Sequence, residues 1–100
     1  MHDRLPSLAF LAKSLADENR LRIILCLTNG KKSVSQIVEA VQLSQPLVSH
    51  HLKELRRTLL VKVQRQGPFI YYEISDPRIV DILEAMDRLA LDLLATRKTF

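Results

Sequence analysis

The sequence predicts a mostly α-helical domain carrying one small β-hairpin, in the order helix, helix, helix, helix, strand, strand, helix. Three observations predict it. Apolar residues recur at spacings of three and four before Val61 and again after Asp76, the period of amphipathic helices. Between Val61 and Ile74 the period drops to two, the mark of strands with one buried face. The two glycines, Gly30 and Gly67, both fall where a turn is needed.

The first helix is expected over residues 5–16, where Leu5, Leu8, Ala9, Ala12, Leu15 and Ala16 form an apolar stripe. Asp17 then fits the N-cap of a second helix, Glu18 to Thr28, because its carboxylate can accept from otherwise unpaired backbone N–H groups. Asn29-Gly30 ends that helix. Ser33-Val34-Ser35-Gln36 has the spacing of a capping box and opens a third helix running to about Val41. Ser44 caps a fourth helix within Leu43–Arg57, with Pro46 tolerated in its first turn. Val61 and Val63, then Ile70, Tyr72 and Ile74, alternate on either side of a Gln66-Gly67-Pro68 turn. Asp76-Pro77, a cap followed by proline, starts a last helix expected over about 76–97.

One hundred residues suit a single domain spanning 1–100, and 47% apolar with 26% charged residues is ordinary globular composition. No apolar run approaches the roughly 20 residues that span a bilayer, so no membrane association is expected. Met1-His2-Asp3-Arg4 is followed by no apolar signal segment, and the single cysteine, Cys26, precludes an intramolecular disulfide; a cytoplasmic setting is expected. No nucleophile–base pairing, metal-ligand cluster or glycine-rich phosphate loop is visible, so neither catalysis, nor a cofactor, nor a metal site is expected. Trp is absent, which leaves little for stacking on single-stranded bases. The positive charge is concentrated: residues 31–65 hold seven basic side chains (Lys31, Lys32, Lys53, Arg56, Arg57, Lys62, Arg65) against Glu39 and Glu54. That third of the chain is suited to a polyanion.

The fourth helix has two faces. At 100° per residue, Val48, Leu52, Leu55 and Leu59 cluster on a side expected to pack on the core, with His51 at its margin. Opposite stand Ser49, His50, Lys53 and Arg57, with Gln45 near the N-terminal end. Short hydrogen-bonding groups early and cations later suit a helix whose first turns meet base edges and whose end reaches phosphate. Gln45, Ser49 and His50 are therefore expected to read sequence, and Lys53, Arg56, Arg57, Lys62 and Arg65 to supply phosphate affinity. Ser44 is expected to cap the helix and to touch a phosphate. A short capped helix before this one and a hairpin after it, with Arg65 near the Gly67 tip, complete a winged helix-turn-helix for double-stranded DNA.

Three segments, in order and in register, resemble the ArsR-type (arsenical-resistance repressor-like) transcription factors. Leu15-Ala16-Asp17-Glu18-Asn19-Arg20-Leu21-Arg22-Ile23-Ile24 resembles that family's "LADPTRLRIL". Leu43-Ser44-Gln45-Pro46-Leu47-Val48-Ser49-His50-His51-Leu52-Lys53-Glu54-Leu55 is similar to "LSQPTVSRHLKVL", and Phe69-Ile70-Tyr71-Tyr72-Glu73-Ile74 resembles the wing ending "VYYRL". The resemblance implies a homodimeric repressor with paired terminal helices, whose DNA affinity falls when an effector binds. It leaves that effector unidentified. Metal sensors of the family carry cysteines in a third-helix pattern like "ELCVCEL"; here Lys31-Lys32-Ser33-Val34-Ser35-Gln36-Ile37 has serines instead, which cannot replace thiolates for a soft metal. Other members bind zinc-like metals with Asp and His on the last helix, where this chain has Asp76, Asp81, Asp87 and Asp92 but no histidine. Thiol-sensing members pair a second-helix cysteine with one near the C-terminus; Cys26 has no such partner between Leu93 and Phe100.

The last helix reads as an interface. Ile79, Ile82, Met86, Leu89 and Leu93 form a 3,4-spaced seam that a chain this small cannot cover alone, and Leu8, Leu11 and Leu15 join it. A two-fold dimer would set two recognition helices about 34 Å apart, on successive major-groove faces of an imperfect palindrome. Two alternatives stand beside this reading: a winged-helix module that binds protein, and a thiol-responsive regulator using Cys26.

Overall fold

A computed structural model of the protein describes residues 1–97. A single 3₁₀ turn leads into α1 (Leu5–Leu15), followed by α2 (Glu18–Cys26), α3 (Val34–Val41), α4 (Gln45–Arg57), β1 (Val61–Gln66), β2 (Phe69–Ile74) and α5 (Arg78–Leu94). The expected order of elements is the observed one. α2 ends at Cys26, two residues before Thr28, and α5 ends at Leu94, short of 97.

Side-chain acceptors mark the starts of α2 to α5. Asp17 accepts the Arg20 N–H at 3.0 Å and caps α2. Ser33 and Gln36 form a complete capping box on α3: the Ser33 hydroxyl accepts from the Gln36 N–H, and the Gln36 side-chain carbonyl accepts from the Ser33 N–H. Ser44 accepts from Leu47 at the head of α4. At α5 the Asp76 carboxylate takes the Arg78 N–H at 2.9 Å, with Pro77 preceding the first helical residue. The Arg78 guanidinium and N–H together hold that carboxyl down at about 2.

The core lies where α2, α3 and α4 meet. Ile23 and Ile24, Ile37, and Val48, Leu52 and Leu55 are essentially inaccessible, and Leu60, Val61 and Ile79 close the cluster. Truncating one of them, Leu55 to Ala, removes packed volume worth about 2–5 kcal/mol. β1 and β2 pair antiparallel from Val61↔Ile74 to Gln66↔Phe69. In the two-residue turn Gly67 has φ +61, while the ring of Pro68 fixes a negative φ, the combination of a type II′ hairpin. Lys32 exchanges two backbone hydrogen bonds with Tyr72, at 3.0 and 2.8 Å, stitching the α2–α3 loop to the wing.

Two expectations fail here. Leu59 does not extend the buried face of α4 but is 77% exposed. The helix stops at Arg57 and Leu59 takes φ +65, so the helical phase no longer applies to it. Ile79 does not belong to an exposed seam on α5: it is only 8% exposed and packs in the core of its own chain.

Candidate nucleic-acid interface

α3 and α4 are joined by Gln42, in the left-handed region at φ 56, then half-buried Leu43 and the cap Ser44. This three-residue turn makes the helix-turn-helix. α4 is anchored through Val48, His51, Leu52 and Leu55, all buried, which leaves Gln45, Ser49, His50, Lys53, Arg56 and Arg57 exposed on the other side. The structure therefore brings six of the nine expected DNA-binding residues onto one helix face, with Ser44 at its head.

The cations are not equivalent. Arg57 donates to Glu54 at 3.0 Å, and its guanidinium lies 5.4 Å above the ring centre of Phe10 on α1. The same bond holds the Glu54 carboxyl below the usual range. Lys62 lies 3.7 Å from Glu73, its direct neighbour across the ribbon. Lys53, Arg56 and Arg65 form no ion pair among the described residues. Arg65 and Lys62 are three residues apart on one strand, so they project from opposite faces of the wing. Beside Lys62, the face of Gln64 and Tyr71 also carries exposed Phe69, and Lys31 sits 5.0 Å over the Tyr71 ring.

His51 is the buried half of the histidine pair. Its Nε2 lies 3.8 Å from the Asp17 carboxylate, too far for a hydrogen bond, and its buried Nδ1 has no hydrogen-bond partner among the described residues. Burial pushes its imidazole below the ordinary range; the Asp17 charge opposes this and Arg20 and His50 reinforce it. A neutral His51 thus seats α4 against the cap of α2. Cys26 packs against the core, and burial pushes its thiol up, which disfavours the reactive thiolate.

On the terminal helices Leu8, Leu11, Ile82, Met86, Leu89 and Leu93 are exposed, while Leu15 is half-buried against its own core. Sequence reasoning missed the contacts that α1 makes with α4. Phe10 beneath Arg57 and a buried hydrogen bond between Ser14 and Thr58 join residues more than forty positions apart, and no local pattern marks them.

Residues 17–63 match the bacterial regulatory protein arsR family. An uncharacterised HTH-type transcriptional regulator of Methanocaldococcus jannaschii is 34% identical over 82 residues, which cover 81% of this chain and 92% of that protein. The transcriptional activator HlyU of Vibrio cholerae is 33% identical over 79 residues, covering 79% and 73% of the two chains. The transcriptional repressor SdpR of Bacillus subtilis is 31% identical over 74 residues, covering 74% and 82%. Among solved structures, the homodimeric winged helix-turn-helix DNA-binding domain of a possible ArsR-family regulator from Mycobacterium bovis matches 99% of this chain and 92% of its own, with TM-score 0.82 and 25% identity. With α4 presented beside a β-hairpin wing on this framework, the chain belongs to the ArsR family of bacterial regulatory proteins and is a winged helix-turn-helix transcriptional regulator.

Proposed function

We propose that the protein binds an imperfect palindrome in double-stranded DNA as a homodimer and represses transcription there. The observation that carries the reading is α4: one face is buried to its last turn, and the other presents Gln45, Ser49 and His50 before Lys53 and Arg56. In the major groove, Gln45 would pair with adenine and Ser49 and His50 with neighbouring base edges, while Lys53, Arg56 and the wing's Arg65 meet phosphates. Arg57 and Lys62 contribute less, because each first exchanges a carboxylate for a phosphate. Ser44 caps the helix and can present its N-terminal N–H groups to a phosphate.

The dimer forms through Leu8, Leu11, Ile82, Met86, Leu89 and Leu93, apolar side chains that one copy leaves in water. The homodimeric neighbour and the relatives named as repressors support both halves of the proposal. Neither cysteines on α3 nor histidines on α5 are present in the metal-sensing arrangements known for the family, which supports reading the protein as other than a typical Cys- or His-based metal sensor. Selection of duplexes from a random library by the purified chain tests the whole: palindromic sites with half-sites about one helical turn apart are expected. Retention of no duplex at low salt would turn the reading toward a protein-binding module.

A further inference from the structure

We infer that Phe10 and Ser14 on α1, with Arg57 and Thr58 at the end of α4, form a positioning clamp that sets the half-site spacing the dimer accepts. This rests on the dimeric, palindrome-binding reading above. Ser14 is the one buried residue of α1, and its hydroxyl lies 3.0 Å from that of Thr58. The Thr58 hydroxyl is also within hydrogen-bond reach of the carbonyls of Leu55 at 3.1 Å and Glu54 at 3.3 Å, so the pair is tied into the last turn of α4 whichever hydroxyl donates. A buried hydroxyl pair is directional and costly to leave unmade, so it fixes how α1 is rotated against α4, which apolar contact alone does not. The Ser14 carbonyl is tied down in turn by the Arg20 Nε at 2.6 Å. One helical turn before Ser14, Phe10 lies under the Arg57 guanidinium. Two contacts a turn apart define both the angle and the height of α1 on α4.

The same helix has a second face. Leu8 and Leu11 lie about a third of a turn round from the Phe10–Ser14 edge and are exposed, the face assigned to the second copy. α1 is thus the one element that holds the end of the recognition helix on one side and the dimer partner on the other. The lever is long. A helix of 13 residues measures about 20 Å, so a 10° change in the angle that α1 makes with α4 moves the N-terminal turn of α4, with the core it is packed in, by about 3.5 Å relative to the partner copy. That displacement is roughly one base-pair step.

The test uses the full chain and the palindrome that it selects, with the central spacer kept or changed by one base pair, and a duplex carrying a single half-site. The unaltered protein is expected to prefer its chosen spacing by about tenfold over either neighbour. Ser14→Ala, Thr58→Val and Phe10→Leu are expected to reduce that preference to within about threefold, with affinity for the single half-site and the dimer state in sedimentation unchanged. Thr58→Ser keeps the hydroxyl and is expected to restore discrimination. Variants that retain the full spacing preference, or that lose half-site affinity in the same proportion, overturn the clamp while the DNA-binding reading stands. An unaltered chain that is monomeric or selects no palindrome overturns the reading beneath it, and the clamp with it. Phe10→Leu alters a partly exposed side chain and guards against variants that merely fail to fold.

Discussion

Leu59 shows what a single residue contributes to the end of the recognition helix. Its N–H bonds to the Arg56 carbonyl at 3.0 Å and that of Leu60 to Leu55 at 2.9 Å, a Schellman motif with leucine where glycine is usual. A side chain at φ +65 costs roughly 1–2 kcal/mol, and this one recovers little by packing because it is largely in water. Leu59→Gly is therefore expected to raise stability by about 0.5–1 kcal/mol, after the added chain entropy of glycine, and to raise Tm by several degrees in thermal unfolding. His51 sets a pH dependence at the same scale. Its folded form resists protonation because burial outweighs the Asp17 charge, so the unfolded chain takes up the proton first. Stability from this residue is complete above the ordinary histidine range near pH 6.5 and is lost as the pH falls below it. Denaturant midpoints of the wild type are expected to fall more between pH 7 and 5 than those of His51→Gln; parallel curves would remove His51 from the account.

At the scale of elements, the wing separates two cations that look alike in the sequence. Arg65 has no carboxylate partner among the described residues, whereas Lys62 faces Glu73 in the ribbon register. Arg65→Ala is expected to weaken binding to all duplexes and to reduce the slope of log K against log salt by about one. Lys62→Ala should change the slope by clearly less, as fluorescence titrations over a salt series would read. Equal slopes for Arg65→Ala and wild type would take the wing off the DNA. What the sequence made legible here was local. The caps at Asp17, Ser33 and Ser44 lie within three residues of the N–H groups they accept from, and the turn at Gly67-Pro68 is written in two residues. The Glu54–Arg57 pair was open to detection from its i,i+3 spacing, and Lys62–Glu73 once the hairpin register was fixed. The Lys32–Tyr72 bridge and the Ser14–Thr58 bond were not legible, because they follow from how distant elements pack. Leu59 and Ile79 were misplaced for a related reason: periodicity gives the face of a helix but neither its last residue nor which body covers that face.

For the whole molecule, charge and apolarity are laid out on different regions. The basic excess lies between residues 31 and 65, while α5 carries Asp81, Glu84, Asp87 and Asp92 against Arg78 and Arg88, a net acidic set around its exposed apolar seam. An acidic surface there disfavours DNA and is compatible with a partner that brings a matching apolar face. Ile82, Met86, Leu89 and Leu93 are each at least half exposed, so a charge at Met86 or Leu89 adds no buried charge to the single chain. Met86→Glu with Leu89→Glu is accordingly expected to leave the helical circular-dichroism signal intact while the sedimenting species falls from dimer to monomer. Losing the second half-site removes the advantage of linked binding, so affinity for the palindrome should drop by about 10²–10⁴, toward that for a single half-site. Ile79→Ala is the contrasting case: its side chain belongs to the core of its own chain, so protomer stability should fall by about 2–5 kcal/mol. If the double substitution left the dimer intact, α5 would not be its seam, and the two copies would have to meet through another face.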